Sequence, residues 1–254
     1  MHLPIFVINL ERDAARRSHM QRVLGELGLA AEFVTAVDGR RLSAEDRAMV
    51  DRPRMLRIYG CEMMDTEIAC YLSHYRLYQR MVRDGIDLAL VLEDDVHIHP
   101  DLPMVLRDLL VCAFTDWSVV RLDSKRTEVH RPGPDRARGV LVAPLSCGYG
   151  LYRLRTRVLG TGAYLIRRTG AERMLSYGQR VFMPIDQTID RYWENGILPY
   201  VVRPFPVQQR EEFGSSTGPR ALDWRRDQPA SVRWQRRAQR SFDGICKRIF
   251  NLVH

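Results

Sequence analysis

Lysine is nearly absent from this chain of 254 residues: Lys125 and Lys247 are the only two, and arginine fills the rest of its 39 basic positions. Arginine offers phosphate or carboxylate a rigid, bidentate fork, although a GC-rich genome produces the same bias. Cysteine is also sparse. Cys61, Cys70, Cys112, Cys147 and Cys246 are odd in number and form no C-x-x-C pair, which argues against a disulfide or zinc framework and for reduced thiols in a cytosolic protein. No apolar run approaches the ~18 residues that mark a membrane-crossing helix. The opening MHLPIFVINLER has no basic leader and reads as a first strand rather than a signal peptide. Internal repeats and low-complexity tracts are missing too.

Apolar residues make up 45% of the chain, which excludes whole-chain disorder and suits one large domain or a core with an appendage. The net charge of +8 is uneven, since residues 220–254 hold eight Arg and one Lys against three Asp, a local excess of six. The part before it is close to neutral, so core and tail need separate explanations.

Hydrophobic periodicity gives an alternating pattern. Residues 3–9 form a buried strand, and a helix capped by Asp13 follows with Met20, Val23, Leu24 and Leu27 on one face and Gly28 as its stop. A second strand over 32–37 closes at Asp38-Gly39, and 43–59 is irregular with a short helix. A helix from Asp65 or Thr66 to Arg83 ends at Asp84-Gly85. The run DLALVL (87–92) predicts a strand buried on both faces, because its apolar residues are continuous. Further on come a helix capped by Asp101, strands at 118–122, 139–143, 163–167 and 197–203, a helix over 169–177, and one from Pro184 to Asn195. Residues 125–138 and 145–160 read as mobile loops. This order is that of an α/β sheet with helices on both faces.

The chemistry concentrates where DLALVL meets Glu93-Asp94-Asp95. Three adjacent carboxylates repel one another and need an offset, and the carboxyl end of a buried strand is where an open α/β sheet binds ligands. Hard oxygens suit Mg²⁺ or Mn²⁺. Continued alternation would put Glu93 and Asp95 on one face and Asp94 on the other. Extended to His97 and His99, it would instead make a His/carboxylate zinc site. A solvated acidic strand end is the plain alternative.

Several pieces fall in order around that strand: VINLERDAARR (7–17), TAVDGR (35–40), EIACYLSH (67–74), LVLEDDV (90–96), GTGAYLIRRTGAERML (160–175), MPIDQTIDRY (183–192) and Ser215-Ser216-Thr217. Together they resemble glycosyltransferase family 25, the lipopolysaccharide and lipooligosaccharide β-galactosyltransferase type, related to collagen galactosyltransferases. The resemblance implies a GT-A-like, Rossmann-type sandwich with a mostly parallel sheet over residues 1–217 and a basic helical extension over 218–254. It implies inverting transfer of a sugar, galactose, from a UDP-sugar to a saccharide hydroxyl of a lipopolysaccharide or lipooligosaccharide acceptor, with Mn²⁺ or Mg²⁺ at the diphosphate.

The resemblance also suggests roles. Asp95 is the foremost metal ligand, with Glu93 a second, and Asp94 lies on the donor side. Asn9 and Arg12 hold the nucleotide, Arg16 lies a turn beyond, and Asp38 accepts ribose hydroxyls unless it only makes a turn. Ser73 and His74 line the donor pocket, while Cys70 belongs to the core. Asp186, in the Pro-x-Asp motif, is the general base unless it merely stabilises its helix N-terminus; Asp190 shares its helix face. Asp123 is the alternative base or an acceptor contact. Tyr149, Tyr152 and Trp193 are possible sugar-stacking residues or core. A non-catalytic sugar-nucleotide binder and a metal-dependent phosphohydrolase remain as other classes.

The tail places Trp234, Ala238, Phe242, Ile245 and Ile249 on one stripe beside Arg233, Arg236, Arg237 and Arg240. That pattern fits either a helix lying on anionic lipid or one packed on the core. No nucleic-acid-reading module accompanies the charge. The expected setting is cytoplasmic, with peripheral contact at the inner face of the cytoplasmic membrane.

Overall fold

The computed structural model describes residues 3–124, 139–209 and 229–253. In chain order its elements are β1 (Ile5–Asn9), α1 (Ala14–Glu26), β2 (Glu32–Thr35), α2 (Ala44–Ala48), α3 (Arg52–Ile58), α4 (Asp65–Arg83), β3 (Leu88–Glu93), β4 (Val96–Ile98), α5 (Leu102–Val111) and β5 (Val119–Arg121). There follow β6 (Gly139–Pro144), β7 (Gly150–Leu154), β8 (Ala163–Arg167), α6 (Arg168–Tyr177), α7 (Ile185–Ile189), α8 (Tyr192–Asn195), β9 (Tyr200–Arg203), β10 (Val207–Gln209) and α9 (Ala230–Val253).

Eight strands form one sheet in the order β2-β1-β3-β8-β5-β9-β7-β6. Six of them point the same way and only β7 and β8 oppose them, so the sheet is mostly parallel in direction, as expected. The two reversed strands sit between parallel ones and make the pairing mixed. Period-two alternation sends Phe6, Ile8, Val91 and Ile166 to one face, where they pack with α4 and α6. It sends Ile5, Val7, Leu90 and Leu92 to the other, against α1 and α5. Both faces are covered, which is why β1 and β3 read as continuous apolar runs. Each such side chain contributes roughly 1.5–3 kcal/mol of burial.

The helix α4 is built to length by its ends. Asp65 and Glu67 lie in its first turn and Arg80 and Arg83 in its last, complementing the helix dipole. The Met64 amide donates to Glu67 Oε2 at 2.9 Å, and the chain leaves through Gly85 at φ +69°.

Three expectations need correction. The helix expected from Pro184 to Asn195 is two short ones, α7 and α8, because Asp190 and Arg191 leave the helical path. The loop expected over 145–160 contains β7, hydrogen-bonded between β6 and β9. Residues 96–98, beyond the acidic triplet, form β4, paired with β10. The loop at 125–138 and the motif Ser215-Ser216-Thr217 lie outside the described residues, as does the boundary at 217/218.

Candidate functional site

The carboxyl ends of β1 and β3 lie side by side in parallel register, Ile8 beside Glu93. Beyond them opens a cleft with a cavity volume of about 90 Å³, bounded by Arg12 and Arg16, by Val37 and Gly39, by Thr66, Cys70, Ser73 and His74 of α4, and by Glu93-Asp94-Asp95. The residues following β1, β2 and β3 and the buried face of α4 thus converge on one place, at the strand ends where such sheets bind ligands.

The acidic triplet does not continue the strand. β3 stops at Glu93, and Asp94-Asp95 make a turn, so the expected pairing of Glu93 with Asp95 on one face is replaced by another division. Glu93 turns towards α4 and β8: its Oε1 accepts from Thr161 Oγ1 at 2.7 Å and lies 3.3 Å from His74 Nε2. Asp94 and Asp95 turn towards Arg16, whose Nη1 is 3.1 Å from Asp94 Oδ1 and 3.6 Å from Asp95 Oδ2. Asn9 Nδ2 donates to Asp94 Oδ2 at 2.6 Å. Burial nevertheless raises the Asp94 pKa, against the lowering effects of Asn9 and Arg16.

Arg12, expected to face the nucleotide, lines the cleft and pairs with Asp38. Asp38 also accepts from the Arg40 amide; that bond and then Arg12 hold its carboxyl below the usual range. Ser73 Oγ donates to Ala69 O at 2.8 Å and accepts from Val37 N at 2.9 Å, tying α4 to the exit of β2. His74 is fully buried, with Nδ1 2.7 Å from the Tyr164 hydroxyl. Tyr164 in turn meets Tyr78 Oη at 2.8 Å.

Oxygen ligands of the kind a hard divalent cation takes line the cleft. Carboxylates of Glu93, Asp94 and Asp95 gather at the cleft, and Asn9 Oδ1 beside them is buried without a hydrogen-bond partner. His97 is exposed on β4, and exposed His99 lies 3.3 Å from Asp101, so neither extends this set into a zinc site. Among the described residues, the one group of three His, Cys, Asp or Glu side chains with ligand atoms close enough to share a metal is Cys70, His74 and Glu93, within 4.8 Å of one another; Glu93, Asp94 and Asp95 do not form such a group as they stand.

The two carboxylates expected as bases stand apart from the cleft lining, around the segment 158–163. Leu159 and Gly160 there have φ of +60° and +92°, a conformation that strains leucine. Side chains hold it from several sides. Asp190 Oδ2 accepts from Leu159 N at 2.8 Å, Asp186 Oδ2 from Gly160 N at 3.1 Å, and Asp123 from Gly162 N and Ala163 N at 3.1 and 3.2 Å. Arg121, buried, donates to Gly160 O and lies 3.8 Å from Asp190. Thr161 is thereby presented to Glu93. Burial raises the Asp123 pKa to about 7, although Arg121 and the two amides oppose the shift. Asp190 is raised for the same reason. Sequence reasoning passed over Thr161 and Gly162, and the only signal available was their place in the GTGAYL motif.

Of the two readings of the aromatics, packing is the one their contacts fit. Tyr149 is buried in the core. Tyr152 packs beside Val201 and Leu154. Trp193 lies under cations, with Arg191 4.8 Å and Lys247 4.6 Å from its ring centroid. None of the three lines the cleft.

Residues 2–189 match the family model described as glycosyltransferase family 25 (LPS biosynthesis protein). The chain belongs to glycosyltransferase family 25. It is 26% identical over 220 residues to procollagen galactosyltransferase 1 of Danio rerio, covering 83% of this chain and 35% of that protein. It is 27% identical over 246 residues to the inactive glycosyltransferase 25 family member 3 of Mus musculus, covering 91% and 40% respectively. This family 25 chain therefore spans about a third to two fifths of the length of these curated relatives. Among solved structures, the inositol-1-phosphate CTP transferase from T. maritima aligns over 92% of this chain and 76% of its own, with a TM-score of 0.34 and 12% identity.

Proposed function

We propose that this chain is an inverting glycosyltransferase that moves a sugar, galactose, from a UDP-sugar to a saccharide hydroxyl of a lipopolysaccharide or lipooligosaccharide acceptor. The observation that carries the reading is the cleft itself, in which Arg16 meets an acidic turn at the end of a buried parallel strand and Arg12, paired with Asp38, lines the wall. Arginine forks suit a diphosphate. Asp95 and Glu93 would hold a divalent cation, Mn²⁺ or Mg²⁺, on leaving their present contacts with Arg16 and Thr161, and it would supply electrostatic stabilisation of the leaving diphosphate. Family membership and the procollagen galactosyltransferase likeness support a hexosyl transfer. Among the described residues none of the five cysteines forms a disulfide, which suits the expected cytoplasmic setting.

In this reading Arg12 and Arg16 bind the two phosphates, Asp38 sits at the ribose rim, and Asn9 orients Asp94. His74, held by Tyr164, keeps Glu93 aimed, while Ser73 fixes the wall between α4 and Val37. The acceptor oxygen attacks the anomeric carbon from the side opposite the diphosphate and gives up its proton to a carboxylate. We assign that base to Asp186, which is 9% exposed where Asp123 is 1% exposed. The amides of Gln187 and Gly160 each occupy one of its oxygens, and each oxygen keeps a second lone pair. Asp123 then positions Gly162 and Ala163.

Thermal-shift titration with a panel of nucleotide sugars, with and without Mn²⁺, tests the donor site, because a bound ligand stabilises by mass action. The expected result is a shift selective for UDP-sugars and larger with Mn²⁺. Asp95→Asn should abolish it with the fold intact. Asp186→Asn should lower kcat about 10²-fold or more with donor binding unchanged; a loss below about tenfold, roughly 1.4 kcal/mol of barrier, would leave Asp186 as a helix-terminal and loop-holding residue. The mouse relative named as inactive, at 27% identity, favours one second reading, a sugar-nucleotide binder without turnover. Binding without UDP release would establish that reading, and UDP or UMP release without any acceptor would point to a phosphohydrolase.

A further inference from the structure

Amphipathic helices at the ends of domains ordinarily bury their apolar face. In α9 the reverse holds. The side that meets the rest of the molecule is polar and charged: Asp243 forms a bidentate pair with the buried Arg191, both contacts at 2.8 Å. Lys247 stands over Trp193, and Asn251 Nδ2 donates to Tyr192 Oη at 3.1 Å. Phe250, against Tyr192 at 5.4 Å between centroids, is the large apolar side chain on that side. The apolar stripe faces outward. Trp234 is 71% exposed, Phe242 58%, Ile245 55%, Ile249 57% and Leu252 86%. They recur at i, i+8, i+11, i+15 and i+18, one continuous strip of helix surface. Exposed Arg233, Arg237, Arg240 and Arg248 occupy the sector between this stripe and the docked side.

We propose that the exposed face of α9 is a docking surface for an anionic lipid bilayer, with the helix lying in the plane of the headgroups and the docked face holding the catalytic domain against the membrane. The pattern matches what such surfaces require, an apolar strip that enters the acyl boundary and arginines beside it at headgroup level. Charge selects the occupant. The acidic residue of α9, Asp243, is buried beneath Arg191, so two copies meeting stripe to stripe would oppose arginine to arginine with no carboxylate of the helix to offset them. A negative lipid surface complements the same array. The inference stands apart from the transferase reading, since it depends only on what α9 presents.

The test is vesicle co-sedimentation of the full chain, with phosphatidylglycerol-containing vesicles against pure phosphatidylcholine, at low and high salt. Binding is expected to the anionic vesicles and to weaken with salt. The double variant Ile245→Glu/Ile249→Glu, at positions more than half exposed, should lose binding while keeping its thermal midpoint and its response to nucleotide sugar. Arg237→Gln/Arg248→Gln should weaken it about 25-fold, taking about fivefold per charge. Failure of the full chain to bind anionic vesicles would overturn the proposal, as would undiminished binding by the Ile245→Glu/Ile249→Glu variant. A concentration-dependent dimer that the same variant dissolves would overturn it in favour of a second copy as the occupant.

Discussion

Asp123 gives the sharpest link between geometry and a measurable quantity. Its carboxyl is buried, accepts only two backbone amides, and is raised by that burial from 3.8 to about 7. An acid with a raised pKa in the folded state holds a proton there that the unfolded chain has already released. Stability is therefore greatest below about pH 4 with respect to this group and falls as pH climbs towards 7, then levels off. Three pKa units correspond to about 4 kcal/mol at full effect. Asp190 and Asp94, also raised by burial, act in the same direction. The isosteric variant Asp123→Asn isolates the group, because it cannot ionise. Its amide accepts from one of the two N–H groups and not both, an offset that does not vary with pH. The measurement is urea unfolding of both proteins at steps from pH 4 to 8, in EDTA so that no cation biases the cleft. The difference in unfolding free energy, wild type minus variant, should decline across the window from about 4 to about 7. A flat difference would mean that Asp123 ionises at its ordinary value, and a rising one would mean that the amides and Arg121 outweigh its burial; either refutes the reasoning.

Other substitutions probe neighbouring contacts. Gly162→Ala would bring a methyl to 2.7 Å from Asp123 Oδ2 and 2.9 Å from Val96 Cγ1, so thermal unfolding should show a loss of about 1–3 kcal/mol and steady-state assays a fall in transfer. Gly39→Ala would place its methyl 2.9 Å from the Thr66 backbone, parting the β2 exit from α4; UDP-sugar affinity by calorimetry should drop along with stability. Asp243→Ala leaves Arg191 buried with only Glu194 as a close carboxylate, and should cost about 3 kcal/mol in denaturant titration and open α9 to limited proteolysis.

Much of the sheet was legible because burial on both faces leaves a local trace. The unbroken apolar runs of β1 and β3, and the charged ends of α4 with Gly85 behind it, need no knowledge of the rest of the chain. The short pairings had no such trace. β4 and β10 are three residues each, and β7 mixes glycine, tyrosine and arginine because one of its neighbours is the exposed β6. The break between α7 and α8 is a tertiary effect: Asp190 leaves the helix to hold Leu159, far away in sequence. At the cleft, Arg12, Ser73, His74 and the acidic triplet were found from local motifs, and they do converge. The partners of those groups were not foreseeable, since Tyr164 lies 90 residues from His74 and Thr161 lies 68 from Glu93. Extended alternation past Glu93 failed because the chain turns as soon as pairing with β1 and β8 ends.

The reversal of β8 has a topological consequence. A strand running with its neighbours would deliver its far end to the ligand side; this one delivers its beginning, and with it a stretch of chain arriving from β7. The crevice lining comes from residues 8–16, 36–39, 66–74 and 93–95, and the stretch 158–163 stands behind it, touching Glu93 through Thr161. Length changes just upstream of Val158 would act on this backing of Glu93 and leave the crevice lining itself untouched.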